Sequence, residues 1–137
     1  AKKKMKQSKL PPMRFESTDG FPIYVGRNNR QNDELTFKLA RKDDVWCHAS
    51  KVHGSHVIIS CGGQKPPDDT VTQAAQLAAY YAETGGGQNI PVDVTTVKQV
   101  KKTPGGKPGM VIYHTYRTAI VNPYPDVRVD PLNAESK

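Results

Sequence analysis

Cysteine is scarce in this chain: Cys47 and Cys61 are the only two among 137 residues. That is a weak disulfide framework for a chain this size, and both read as free thiols in a reducing cytoplasm. Large apolar residues are also few. There is one Trp, three Phe and three Met, and Leu, Ile, Val and Phe together supply only about a fifth of the residues, near the compositional border with disorder. Much of that poverty sits in the two ends and in glycine-rich segments, so one folded centre with a single core is expected. No apolar run approaches the length of a bilayer span, so no membrane partner is expected. No signal-peptide pattern opens the chain, but the absence of an initiator Met suggests a piece of a longer protein, whose own leader would not be seen here.

Acid is missing from two stretches. Residues 1–9 carry Lys2, Lys3, Lys4, Lys6 and Lys9, and residues 94–125 carry Lys98, Lys101, Lys102, Lys107 and Arg117, neither with a single Asp or Glu. Net charge is +7, while residues 10–125 hold 13 basic and 10 acidic residues, so the body is only mildly basic. The acid-free run is therefore better evidence for a polyanion partner than the overall charge.

What is present in excess is polar and local. Residues 26–59 contain GRNNRQND, DDVWCHAS and GSHVII, with the only tryptophan, three of the four histidines and a cluster of asparagines. Ahead of them, residues 1–12 read as a basic linker or the end of a coiled coil, stopped by Pro11-Pro12. Residues 13–25 read as a hairpin turning at Thr18-Asp19-Gly20. The Asn-rich segment reads as a loop, with a short helix starting at Asn32-Asp33-Glu34 and running to about Arg41 on a face of Leu35 and Leu39. Residues 45–49 and 56–60 read as strands, with Cys47 and Ala49 on one face and Trp46 and His48 on the other. Thr70-Val71-Thr72-Gln73 fits a capping box ahead of the main helix, whose Val71, Ala74, Ala75 and Ala78 recur at helical spacing. Residues 91–101 alternate as a strand, 102–109 (KTPGGKPG) form a turn-rich loop, and 110–113 pair with 118–121 as a hairpin. The expected class is α+β, a mixed and mostly antiparallel sheet with one main helix and one short helix. The domain is expected over 13–124, with 125–137 a flexible tail.

Three histidines within nine residues invite a metal, yet their spacing matches no zinc pattern, and no metal or other cofactor is expected. Cys47–His48 and Ser55–His56 are adjacent on strands and point to opposite faces, which argues against a nucleophile–base pair. A hydrolase or nuclease built on His48, His56 and Asp44 is the third of three readings, and no enzyme activity is expected. KTPGGKPG shares only composition with a phosphate-binding loop, because Pro108 stands where the Walker pattern needs Ser or Thr. Its lysines can still meet a nucleic-acid backbone. Trp46 reads as core.

The ordered set GRNNRQND, LTFKLA, DDVWCHAS, GSHVII, AAQLAAYYAE, VDVTTVKQVKK and GGKPGMVIY closely resembles the NFACT-R domain, the C-terminal region of the NFACT proteins. The resemblance covers about 15–123. It implies a non-enzymatic, cytoplasmic RNA-binding module of a ribosome-associated quality control factor. Its implied partners are tRNA or rRNA and the large ribosomal subunit carrying a stalled chain. The alternative is a fibronectin- or fibrinogen-binding adhesin module, as bacterial members are often labelled, with the parent exposed at the cell surface. The residues that carry over are Arg27, Asn28, Asn29, Asn32, Asp33, Asp44, Trp46, His48, Ser55, His56, Lys98, Lys102, Lys107 and Gly109. The expected nucleic-acid-binding set is Arg27, Asn28, Asn29, Asn32, His48, His56, Lys98, Lys101, Lys102 and Lys107. Two departures from the resemblance are Cys47, where leucine is common, and His53, where proline is common.

Overall fold

Period-two alternation of small and branched apolar residues builds the sheet. A computed structural model describes residues 10–84, 86–125 and 127–129. In chain order its elements are β1 (Met13–Glu16), β2 (Pro22–Val25), α1 (Asn29–Glu34), a π-helical turn (Leu35–Leu39), β3 (Val45–Ala49) and β4 (Val57–Ile59). Then come α2 (Asp68–Tyr80), β5 (Ile90–Thr96), a 3₁₀ turn (Val97–Gln99), β6 (Lys101–Lys102), β7 (Val111–Ile112), β8 (Arg117–Val121) and β9 (Arg128–Val129). Seven strands form one sheet in the order β8-β5-β3-β4-β2-β1-β9, and every pairing is antiparallel. Strands β6 and β7 pair only with each other. The chain is α+β, with α2 the main helix and α1 the short one.

The alternation sorts the side chains into two layers. Ile23, Val25, Cys47, Val57, Ile59, Val92 and Val94 face α2, which answers with Val71, Ala74, Ala75, Leu77 and Ala78. Alanines let the helix lie close to the sheet, and Asp68 and Asp69 in its first turn suit the helix dipole. The opposite face carries Trp46 and Ile58 under Leu35, Val97 and Val100. Ile23, Val57, Ile59 and Trp46 are fully buried, and each such side chain contributes about 1.5–3 kcal/mol of burial. The second layer matters for the site, because it seats α1, the π turn and the β6–β7 hairpin on the far side from α2.

Several local expectations are corrected. Helix α1 begins at Asn29, where Asn28 Oδ1 accepts the Gln31 amide at 2.9 Å, so Asp33 and Glu34 sit at its end. The chain then widens into the π turn, which buries Leu35 and Thr36 and leaves Leu39 64% exposed. The expected strand over 91–101 ends at Thr96 and gives way to the 3₁₀ turn. The expected 110–121 hairpin does not form: β7 pairs with β6, and β8 takes the open edge of β5. Strand β9 falls in the stretch expected as tail and pairs with β1, while the basic arm 1–9 and residues 130–137 lie outside the described residues.

The Thr70–Gln73 pattern is not a capping box, since α2 starts two residues earlier, at Asp68, with Pro67 before it. Its polar groups instead tie the helix to the β1–β2 turn. Thr70 Oγ1 donates to Asp19 Oδ2 at 3.0 Å and is met by the Ser17 hydroxyl at 2.8 Å. The Gln73 side chain pairs with both the amide and the hydroxyl of Thr18, at 3.0 and 2.9 Å. Thr70 is fully buried, so Thr70→Val leaves the buried Ser17 hydroxyl short of a partner. The expected cost is about 1–3 kcal/mol, seen as a lower urea midpoint with an unchanged slope.

Candidate nucleic-acid interface

Three segments meet on the face away from α2: the Asn-rich helix α1, strand β3 with His48 and the entry to β4 at His56, and the β6–β7 hairpin. Gly109 is where they touch. Its amide donates to Asp33 Oδ1 at 3.2 Å and its carbonyl lies 3.1 Å from His56 Nε2. Its φ is +87°, and an added Cβ would lie 3.1 Å from Asn29 Oδ1, so both the conformation and the space call for glycine. Lys102 Nζ closes the junction with a 2.9 Å ion pair to Asp33 Oδ2. Burial opposes charge on Asp33, but the bonds from Lys102 and Gly109 outweigh it and hold the carboxyl below its usual range.

His56 is 1% exposed. The Trp46 indole N–H, which can only donate, points at Nδ1 from 3.3 Å, and the Thr36 hydroxyl is 2.8 Å from the same nitrogen. Nδ1 is therefore the acceptor, and Nε2 carries the proton toward the Gly109 carbonyl. Burial first, and then the neighbouring His48, push the imidazole down to about 4. The backbone of the same residue is fixed by Asn32, whose Oδ1 accepts the His56 amide at 3.0 Å. His48 stacks on Trp46 with ring centres 5.7 Å apart and planes within 7°, and meets His56 edge-on at 5.6 Å. Burial likewise lowers the His48 pKa. Tyr113 packs on Trp46 edge-on at 4.9 Å and donates its hydroxyl to Asp93 at 2.6 Å.

Two clefts flank this junction. One, of about 420 Å³, is lined by Lys42, Lys98, Lys101 and Lys102 with Thr36 and Phe37. The other, of about 460 Å³, opens between the β3–β4 turn and the hairpin and is lined by Asn29, His48, Lys51, Met110 and Tyr113 among others. In the first, Lys98 has, among the described residues, a 3.8 Å partner in Asp43, and both side chains are more than half exposed. A pair that open to water holds its lysine weakly.

Residues 12–115 match the family model of the NFACT protein RNA binding domain. The chain belongs to the NFACT RNA-binding domain family. It is 43% identical over 112 residues to the Rqc2 homolog RqcH of Bacillus subtilis, covering 82% of this chain and 19% of that protein. The RqcH of Streptococcus pneumoniae is 50% identical over 101 residues, covering 74% and 18%. The C-terminal structure of the fibronectin/fibrinogen-binding protein from Streptococcus suis superimposes with a TM-score of 0.82 at 43% identity, covering 88% of this chain and 48% of that one. The chain thus spans about a fifth of the length of these RqcH relatives.

Within this NFACT domain the expected site residues divide by burial. Asn32 and His56 are buried, with the Asn32 side-chain oxygen and both His56 ring nitrogens bonded inside the protein. Asn28 spends its side-chain oxygen on the α1 cap. Arg27 is part-buried, its Nε donating to the Pro11 carbonyl at 2.6 Å. Asn29, Lys98, Lys101, Lys102 and Lys107 are exposed, and His48 is half-buried at the second cleft. Asp44, expected beside His48 and His56 in the nuclease reading, instead accepts the amides of Arg41 and Cys61 at 2.9 and 3.0 Å. Among the described residues no three His, Cys, Asp or Glu come together as a metal site. Both cysteines are free and buried, and no helix of the described residues is long and apolar enough to cross a membrane.

Sequence reasoning missed Lys42, Lys51 and Thr36. Thr36 was findable, four residues after Asn32 and so on the same helical face. The lysines had no local signal, since folding alone brings them to the clefts. The His56 geometry sets a pH dependence. Between its ordinary 6.5 and about 4, the unfolded chain binds a proton that the folded one refuses. Stability is therefore full above pH 6.5 and falls as pH drops toward 4, by about 3 kcal/mol from this group. In an NMR titration the His56 ring resonances should hold still down to pH 5 and move with a midpoint near 4.

Proposed function

We propose that this domain is a non-enzymatic RNA-binding module of a ribosome-associated quality control factor, working in the cytoplasm on tRNA or rRNA of stalled large subunits. The observation that carries the reading is the four-lysine cleft of Lys42, Lys98, Lys101 and Lys102. Ammonium groups gathered around one groove raise the local positive potential, and a phosphate backbone entering it releases counterions. Lys107 and Arg27 extend the charge along the hairpin and the start of α1. Lys102 also latches Asp33, so it contributes position as well as charge. Asn28, Asn32 and His56 hold the loops, while Asn29 and His48 remain available at the second cleft.

The family description supports the RNA partner, and the RqcH relatives support the ribosomal setting. The name of the Streptococcus suis neighbour points to a second reading, binding of fibronectin or fibrinogen. Salt separates the two. Affinity for tRNA should fall steeply between low and physiological salt, and Lys42→Glu, Lys98→Glu and Lys101→Glu together should flatten the log–log salt slope by about three. All three side chains are exposed, so unfolding should not account for the loss. Undetectable tRNA affinity at low salt, or an unchanged slope, sinks the proposal. Fibronectin binding that survives both salt and charge reversal favours the alternative.

A further inference from the structure

Resting on that RNA-binding reading, we propose that the second cleft receives one unstacked nucleobase of a single-stranded segment, with Lys51 and Lys107 holding the phosphates on either side of it. At about 460 Å³ the space is of ligand-site size. It is separate from the lysine cleft and shares no lining residue with it.

Its two walls are held by different contacts. The β3–β4 turn is pinned to the end of α2: Ser55 and Glu83 amides donate to the Tyr81 and His53 carbonyls at 3.2 and 2.8 Å. Gly54 lies so close to Ala82 that an added Cβ would sit 2.8 Å from its Cβ. The opposite wall is the hairpin, held at Gly109 as described. Flat and polarisable groups line the interior: the His48 imidazole, the Tyr113 ring and the Met110 thioether, the last 51% exposed at the rim. Such groups pack on any base face.

Polar recognition is also at hand. The Asn29 side-chain amide presents a donor and an acceptor at the cleft, the pair a base edge reads, and among the described residues it bonds no protein group. Lys51 supplies a second sign. Its backbone is left-handed, with φ 60°, a conformation that costs a non-glycine residue about 1–2 kcal/mol and that Asn or Gly would relieve. Lys51 is exposed and lines this cleft, so a cationic side chain stands beside the space.

The test uses the full chain and two single-stranded ten-nucleotide RNA probes, one with bases and one with every base replaced by an abasic ribose, in fluorescence anisotropy at low salt. The phosphates are the same in both. The base-bearing strand should bind at least about tenfold more tightly. Val52→Trp, which fills the cleft from its wall, and Asn29→Ala, on the surface, should each bring the two affinities together, and the abasic affinity should persist in both variants. Equal binding of the two probes by the native chain overturns the base site and leaves the lysine-cleft reading standing. A preference that survives both variants overturns the placement. If neither probe binds, the RNA-binding reading falls and the base site falls with it.

Discussion

The far face of this domain depends on one buried imidazole. His56 receives the Trp46 indole and the Thr36 hydroxyl on one nitrogen and offers the other to the Gly109 carbonyl. That arrangement works only for a neutral ring with its proton on Nε2. A second proton would set N–H against N–H at Trp46 and place a charge in the core. Through this ring the sheet, the π turn and the glycine-rich hairpin share one geometry. The lysines of the hairpin are placed by a residue that itself never reaches the solvent.

This division of labour gives so polar a stretch a structural use. Asparagine, histidine and aspartate are concentrated between residues 26 and 56, yet most are spent on the backbone. Asn28 caps α1, Asn32 fixes the His56 amide, Asp33 takes the Gly109 amide, and Asp44 takes two amides. Irregular connections carry orphan donors and acceptors that must be satisfied somewhere. Here short polar side chains do it, which frees the surface for lysine.

Much of the fold could be read from the residues, because it rests on strong periodicity. Alternation in β3 put Cys47 and Trp46 on opposite faces, and the alanine pattern of α2 gave its buried side. Three features were misread, two of them because a local motif had a competing long-range use. Thr70 and Gln73 have the spacing of a cap but bond a turn more than fifty residues away. Asn28 and Gln31 form the cap of α1, which the asparagine-rich composition disguised as a plain loop. The runs at 110–113 and 118–121 could have paired with each other, but each found a partner outside the pair. Of the candidate site, residue types and the lysine run were legible. Which polar groups face inward was not, since burial is a property of the assembled layers.

The β6–β7 hairpin stands outside the seven-stranded sheet. A lone two-stranded ribbon has little stability of its own in water. Its order is borrowed from the second core layer and from Gly109 and Lys102 at their junction with Asp33 and His56. The molecule is therefore graded: a seven-stranded slab backed by α2, and a lysine-bearing ribbon with no strand partner beyond itself. The lysines it carries are thus anchored through one junction and not along a sheet edge.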